Sequence, residues 1–179
     1  MIGSVIDGGI VDLRNFLLAS GWADYTDTSH TVGSPQSITA LTDTKITNNA
    51  ATTRVQEIPL TDYPNGFFDS VAQKILGRAG DSLLITIQFT CQRQVGTTDF
   101  DIELFFDIGG SVGELYNRTI NIKGNTPNKI TFTTAVYTLD TWQENGADIM
   151  INSDVDINLY DLRFVVYRLH RGIGIYPPP

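Results

Sequence analysis

Alternation of apolar and polar side chains is the feature that most limits the folds open to this chain. In the segment LLITIQFTC, the residues Leu83, Ile85, Ile87, Phe89 and Cys91 occupy every second position. A period of two places these side chains on one face of a β-strand, whereas an amphipathic helix needs a period near 3.6. The segment therefore predicts a strand with one buried face.

The same alternation recurs from about residue 36 onward. It predicts strands at 37–41, 44–48, 55–60, 83–91, 100–107, 115–123, 129–137, 147–152 and 155–169. The last strand changes phase near 160–162, which predicts a bulge or bend. The turns GGSVGE, KGNTPNK and QENGAD carry the glycine, asparagine and proline that hairpin connections need. Strands with one apolar face and no crossover helices predict an all-β, antiparallel β-sandwich, and the strand count favours the jelly-roll type.

The segment 62–82 breaks this pattern. We expect one or two helical turns over 69–77, with Asp69 as the N-cap and Gly77 as the stop. Its apolar side chains, including Phe67 and Phe68, need cover. Two interpretations stay open: a plug over one end of the sandwich, or a contact with another subunit.

The two termini differ from the central part. Residues 1–20 contain Ile10, Leu13, Phe16 and Leu17 at helical spacing, which predicts a short helical arm with one apolar face. So short a helix is not stable alone, so this face must rest on its own domain or on another protein. The expected organisation is an N-terminal arm at 1–20, a jelly-roll domain at 21–170, and an extended proline-rich tail at 171–179.

Charge and composition exclude several classes of function. The net charge of −8 disfavours nucleic acid as a partner. No stretch is apolar for the roughly 20 residues that a membrane helix needs, so we expect no membrane contact. Cys91 is the only cysteine, which excludes an intramolecular disulfide, and its place in the strand predicts that it is buried.

Catalytic motifs are not found in the sequence. It contains no G-x-S-x-G, no H-E-x-x-H and no glycine-rich phosphate loop after a strand. Asp99, Asp101, Glu103 and Asp107 share one face of a predicted strand, and a flat strand is a poor source of calcium ligands. We therefore expect a solvated acidic face, no metal, no cofactor and no enzyme.

Six aromatic residues are candidates for contacts with other molecules. Phe105 interrupts the acidic face, and an apolar side chain on a polar face suggests a neighbouring subunit. Tyr137 and Tyr167 are further candidates for a trimer interface. Trp142, Trp22 and Tyr25 are the candidates for a ligand site that binds a receptor or a sugar; for Trp142, the alternative is a place at the edge of the core.

Two stretches carry a resemblance to a known group. GWADYTDTSHTVGSPQSITALTDTKITNN (21–49) has a W-x-x-Y-x-D segment, a Gly-Ser-Pro turn and a threonine-rich strand, and KILGRAGDSLLITIQFTCQ (74–92) has a Gly-Asp step before its strand. In these features the chain resembles the jelly-roll virion structural proteins of tailed bacteriophages over residues 21–170. The resemblance implies a TNF-like or C1q-like jelly roll that assembles as a homotrimer on the particle.

The function expected from this resemblance is structural. We expect a capsid decoration (cement) protein, made in the host cytoplasm and bound to the major capsid protein or another virion protein through the arm. The alternative is a head-fibre or tail-fibre module that binds a receptor or a glycan on the host surface.

Overall fold

The computed structural model describes residues 21–56, 62–110 and 112–172, and of 54–56 it describes the backbone alone. The arm at 1–20 and the tail from 173 onward lie outside the described residues. The described residues form one helix, α1 (Asp140–Asn145), and twelve strands. The strands are β1 (Gly21–Thr26), β2 (Gln36–Ile38), β3 (Thr44–Lys45), β4 (Thr52–Gln56), β5 (Phe68–Asp69), β6 (Lys74–Ile75), β7 (Ser82–Arg93), β8 (Phe100–Asp107), β9 (Glu114–Ile122), β10 (Asn128–Tyr137), β11 (Asp148–Ser153) and β12 (Ile157–His170).

Two antiparallel sheets form the body of the protein. The larger sheet has the order β10-β7-β12-β1-β4, with β2 also paired to β12, and the smaller sheet has the order β3-β11-β8-β9. The chain changes sheet after β7, β9, β10 and β11, so consecutive strands face each other across the core. This is the connectivity of a double-sheet jelly roll, and it confirms the predicted fold class.

The apolar core lies between the sheets, where the period of two places it. Leu83, Ile85, Ile87, Phe89 and Cys91 are all buried, and they pack against inward-facing residues of the smaller sheet. Burial raises the pKa of the Cys91 thiol to about 12, because the thiolate would be desolvated there. The cysteine is therefore a small core residue, as the alternation predicts.

The predicted phase slip in the last strand is a β-bulge. The pairing of β12 with β7 shifts between Tyr160 and Arg163, and Asp161 has φ = 56°. The extra residue turns Leu162 back toward the core. The Asp161 N–H donates to the carbonyl oxygen of His30 at 3.1 Å, which ties the bulge to a loop.

The segment 69–77 is a β-hairpin, so the prediction of helical turns is wrong. The capping part of the prediction is present, because Asp69 Oδ1 accepts hydrogen bonds from the N–H groups of Val71 and Ala72. The chain then reverses at Gln73, with φ = 58°, and Ile75 forms a bridge with Ala147 of a distant segment. This tertiary pairing overrides the local helical preference.

The hairpin closes the side of the core instead of extending from it. Phe67 and Phe68 are buried, and the Phe68 ring meets Phe164 edge-on at 5.3 Å. Val71, at the tip, is 94% exposed. Most of the apolar side chains of this segment are therefore covered by the chain itself.

The two ends of the sandwich differ. We call the end that holds Gly21, Tyr137 and Gly172 the terminal end, because β1 begins there and β12 ends there. The opposite end, which we call the loop end, carries the connections 27–35, 94–99, 123–127 and 154–156. Both the arm and the tail therefore join the described part of the chain at the same end.

Candidate interaction surface

An aromatic strip lies on the outer face of the larger sheet, near the terminal end. Trp22, Tyr167, Leu84 and Ala135 are direct neighbours across β1, β12, β7 and β10. Successive residues of a strand alternate between faces, and the neighbours of these four residues along each strand point into the core. The four side chains therefore form one row on the outside, and we use the term aromatic strip for them.

The strip exposes aromatic area to solvent. The rings of Trp22 and Tyr167 stack with centroids 6.0 Å apart and an interplanar angle of 23°. Tyr167 is 41% exposed, and Tyr137, in the next outward position of β10, is 43% exposed. Leu169 adds a further exposed apolar side chain at the same end. An apolar patch of this kind on one end of a sheet favours a contact with another molecule.

The rest of the same face is mostly polar, apart from the buried Val165 between Asp24 and Thr86. Thr86 and Thr133 join their hydroxyls at 3.0 Å, and Gln88 and Thr131 occupy the next outward row. The apolar side chains of this face therefore lie in the strip or directly beside it.

An ion pair lies next to the strip on the same face of the sheet. The Arg163 guanidinium donates to both oxygens of Asp24, with Nε–Oδ1 at 2.8 Å and Nη2–Oδ2 at 2.7 Å. Asp24 is buried, although it lies on the outer face next to Trp22. A bidentate pair fixes the geometry of both side chains and holds β1 against β12.

The strip reaches the edge of the sandwich. Tyr137 ends β10, which is the outer strand of the larger sheet on that side. Its backbone N–H donates to the hydroxyl of Tyr116 at 3.4 Å, and Tyr116 belongs to β9, the edge strand of the smaller sheet. Tyr116 has φ = 57° at a break in the β8–β9 register, which lets its ring lean toward the other sheet. The edge therefore presents exposed tyrosines next to the strip.

A buried ionic cluster lies at the terminal end. Arg168 is fully buried, and its Nη1 lies 2.9 Å from Asp62 Oδ2 and 3.4 Å from Asp81 Oδ2. Asp81 also accepts a hydrogen bond from the Tyr63 hydroxyl at 2.7 Å. Burial, followed by the charge of Asp81, raises the pKa of Tyr63 well above its usual range. Arg78 and Arg171 extend the cluster by pairing with Asp62.

A cavity of about 360 Å³ adjoins this cluster. Its walls combine the apolar Tyr63, Pro64, Leu76 and Gly77 with polar groups from Asp62, Arg78 and Gln143. Gly77 is required for this wall, because a Cβ there would lie 2.6 Å from Thr138 Cγ2 and 2.7 Å from Trp142 Cδ1. The volume is within the range of small-ligand sites.

A second polar cluster organises the loop end. Asp27 accepts hydrogen bonds from Ser29 Oγ at 2.7 Å, from the His30 N–H at 2.6 Å and from the Asn49 N–H at 2.8 Å. Burial by itself raises the pKa of Asp27, but these hydrogen bonds and the neighbouring His30 outweigh it, so the pKa is lowered. Ser29 Oγ also lies 3.2 Å from His30 Nδ1, and the bond from Asn49 joins this loop to a second one.

The structure corrects three of the aromatic candidates. Trp142 is 1% exposed, and its Nε1–H donates to the Ile75 carbonyl oxygen at 3.1 Å. Tyr25 is also buried, and its hydroxyl accepts a hydrogen bond from the Phe67 N–H at 2.8 Å. Neither side chain offers a face to a ligand. Phe105 is 4% exposed within a single chain, so little of it remains for a neighbouring subunit.

The other candidates have different outcomes. Trp22, half-buried, and the exposed Tyr137 and Tyr167 come together in and beside the aromatic strip. Leu84 and Ala135, which complete the strip, were not predicted from the sequence, because only the strand register shows that they share its row. The arm residues Ile10, Leu13, Phe16 and Leu17 lie outside the described residues, so their contact with a capsid stays a prediction.

Two kinds of feature are absent from the described residues. No helix in 21–56, 62–110 and 112–172 is long and apolar enough to cross a membrane. In the same part of the chain, no three or more histidine, cysteine, aspartate or glutamate side chains are grouped so that they could hold a metal ion.

Comparison with known proteins finds similarity in structure only. No protein-family model and no curated protein sequence matches the chain. PRD1 vertex protein P5 is 17% identical, with a TM-score of 0.46 over 84% of this chain and 72% of that one. Eiger TNF from S. frugiperda is 10% identical, with a TM-score of 0.48 over 90% and 98% of the two chains. The tobacco streak virus coat protein is 11% identical, with a TM-score of 0.32 over 89% and 92%. All three TM-scores are below 0.5, so these likenesses assign no function to the chain.

Proposed function

We propose that the protein is a virion structural protein, a capsid decoration (cement) protein of a tailed bacteriophage. In this proposal it forms a homotrimer on the particle surface and binds the major capsid protein through the arm at 1–20. The proposal assigns no catalytic residue, metal or cofactor. The observation that carries it is the aromatic strip, which places a half-buried tryptophan and exposed tyrosine area at the end where the arm joins the domain.

The position of the strip supports a ring of subunits. Tyrosine and tryptophan are enriched at protein interfaces, because each buries a large area with few rotatable bonds. The strip lies on a face and continues to an edge that carries Tyr116 and Tyr137. When the edge of one subunit packs on the face of the next, the contact is heterologous, and a suitable rotation closes it into a ring.

The arm supports attachment to a larger lattice. It precedes Gly21, the first residue of β1, which is paired with Arg168 at the terminal end. A trimer would therefore project three arms from one end. Three linked contacts bind far more tightly than one, even when each is weak.

The trimer is tested with Tyr167→Lys, which places a charge in the middle of the strip. We expect light scattering to give the mass of three chains for the wild-type protein and of one chain for the variant. Thr131→Lys is the matched control, since Thr131 is exposed in the polar part of the same face, and it should leave the trimer intact. A wild-type protein that is monomeric at all concentrations would contradict the proposal.

The arm is tested by deletion of residues 1–20. We expect a folded protein of unchanged oligomeric state that no longer co-sediments with capsids of the phage that encodes it. A deletion variant that still binds the capsids would refute the role of the arm. An unfolded variant would assign the arm to the core of the domain.

A receptor- or glycan-binding role is the second candidate. Stacked aromatic rings beside a guanidinium provide apolar and polar contacts for a sugar, and Trp22, Tyr167 and Arg163 combine them. A glycan array probed with the wild-type protein and with Tyr167→Lys separates the roles. Specific binding by the wild type that is lost in the variant, with a monomeric wild type, would favour this candidate.

A further inference from the structure

The carboxylate in the wall of the cavity has all the donors that it can use. Asp62 Oδ1 lies 3.3 Å from Arg78 Nη1 and 3.1 Å from Arg171 Nη2. Asp62 Oδ2 lies 2.9 Å from Arg168 Nη1 and 3.1 Å from Arg171 Nε. Each carboxylate oxygen offers about two lone pairs, so these four contacts occupy Asp62 fully.

The other side-chain oxygens of the wall are also in use. Gln143 Oε1 accepts the Ala79 N–H at 2.9 Å. The Tyr63 hydroxyl donates to Asp81 at 2.7 Å and accepts the Arg78 N–H at 3.1 Å. The side chains of the described wall therefore have no acceptor left for a ligand.

Donors remain in the same wall. Arg78 uses Nη1 for Asp62, and its Nε and Nη2 have no hydrogen-bond partner among the described residues. The amide nitrogen of Gln143 has none there either, because only its oxygen is bound. Side chains that offer donors and no acceptors suit a ligand that only accepts hydrogen bonds, which is the character of an anion.

The two nitrogens of Arg78 that lack a partner form one side of the guanidinium. Arg163 uses the same pair of nitrogens toward Asp24, with Nε–Oδ1 at 2.8 Å and Nη2–Oδ2 at 2.7 Å. Parallel N–H groups of this kind match the two oxygens of a carboxylate. Arg78 therefore offers to a second molecule the contact that Arg163 makes within the chain.

The positive charge of Arg78 is only weakly balanced by Asp62. Its contact of 3.3 Å is the longest of the four that Asp62 makes, and Arg168 and Arg171 share the same carboxylate. The Arg78 side chain is 28% exposed, so water screens its charge only in part. An anion is therefore attracted to this place, although the chain as a whole carries a net charge of −8.

The remaining walls favour an anion that has a carbon body. Pro64 and the half-buried Leu76 give the cavity an apolar side, and the volume of about 360 Å³ exceeds what a small inorganic ion needs. An inorganic ion on Arg78 would leave this side unused.

We propose that the cavity binds a small organic carboxylate. The carboxylate lies on Nε and Nη2 of Arg78, the Gln143 amide donates beside it, and the carbon body rests on Pro64 and Leu76. The inference does not depend on the proposed role in a virion, because all of these residues belong to one chain.

Titration of the full-length protein with three carboxylates tests the site. The probes are acetate, succinate and D-glucuronate, and the matched neutral molecules are acetamide, succinamide and D-glucose. Nuclear magnetic resonance of nitrogen-labelled protein follows the Arg78 Nε–H and the Gln143 side-chain amide. We expect saturable shifts of these signals with at least one carboxylate, and affinity lower by about tenfold or more for its neutral counterpart. No saturable shift with any of the three would overturn the proposal.

Arg78→Met removes the guanidinium and keeps an apolar side chain of similar length. We expect it to weaken binding of the carboxylate by about tenfold or more, because a charge-assisted pair of hydrogen bonds is lost. Arg118→Met is the matched control, since Arg118 is exposed on β9 and is not part of the cavity wall, and it should leave the affinity unchanged. Equal losses in the two variants would show a general attraction of anions and would refute the site.

Two further measurements keep the test decisive. If Arg78→Met does not fold, as judged by circular dichroism, Pro64→Asp places a negative charge at an exposed position of the same wall and should weaken binding by repulsion. Unchanged affinity in Pro64→Asp would refute the location. Inorganic phosphate that binds more tightly than all three carboxylates would refute the organic ligand class, because Pro64 and Leu76 would then contribute nothing.

Discussion

Replacement of Trp142 by phenylalanine tests whether this residue is structural. The indole lies in the core, with its ring 5.6 Å from that of Phe106, and its Nε1–H donates to the Ile75 carbonyl oxygen. Loss of a hydrogen bond costs about 0.5–1.5 kcal/mol. The lower part of this range applies, because the same oxygen also accepts the Ala147 N–H at 2.9 Å and keeps one partner.

The smaller ring also leaves a void. A void of roughly 35 Å³ costs about 0.8 kcal/mol at ~24 cal/mol per Å³. Together the two effects predict that Trp142→Phe lowers the free energy of unfolding by about 1–2 kcal/mol, and that Trp142→Ala lowers it by about 3–5 kcal/mol.

Urea unfolding followed by circular dichroism at fixed protein concentration measures these differences. Trp22→Phe is the matched control, because Trp22 is half-buried on the outer face and should cost less than about 1 kcal/mol. If Trp142→Phe unfolds at the same urea concentration as the wild type, the structural role of Trp142 is refuted.

Two further predictions concern buried charges. Arg168→Met leaves Asp62 and Asp81 without the cation that they share, and we expect chemical denaturation to show a loss of about 3–5 kcal/mol in the free energy of unfolding. The same change at the exposed Arg118 should cost little. Equal losses at the two sites would contradict the structural role of Arg168. Asp27 has a lowered pKa in the folded protein, so its ionised form contributes stability above the pKa of the unfolded chain, and this contribution is lost as the pH falls through the folded pKa. Stability measured between about pH 5 and pH 2 should therefore fall less steeply for Asp27→Asn than for the wild type, and parallel curves would refute this account.

The strands of the sandwich were largely predictable, because their alternation is local. β7 and β8 lie almost where the period of two places them, and the bulge in β12 appears as a phase change at 160–162. β1 was not predicted as a strand. Its outward position 24 holds a buried aspartate, and the partner of this aspartate, Arg163, is far away in sequence.

The rest of the candidate site depends on contacts between distant residues. The local sequence of 69–77 is consistent with a helix, and the bridge between Ile75 and Ala147 decides for a hairpin. The sequence predicts Tyr137 and Tyr167 as candidates for a trimer interface. Their assembly with Trp22 into one surface depends on the register of four strands, and alternation alone does not determine register.

The cavity could not be predicted at all. Its walls come from the segment before the hairpin, from the segment after it, and from α1. These pieces are distant in sequence, and none of them carries a motif that indicates a binding site.

The separation of the two ends has a practical consequence for protein engineering. Gly21 and Gly172 lie at one end, so the loops at the other end are far from the points where the arm and the tail join the described part of the chain, and from the aromatic strip. Val95, in the connection 94–99, is 82% exposed, and the connection 123–127 lies at the same end. Exposed loop tips of this kind tolerate inserted peptides best. Foreign epitopes placed at these two positions would be displayed at the end of the domain opposite to Gly21 and Gly172.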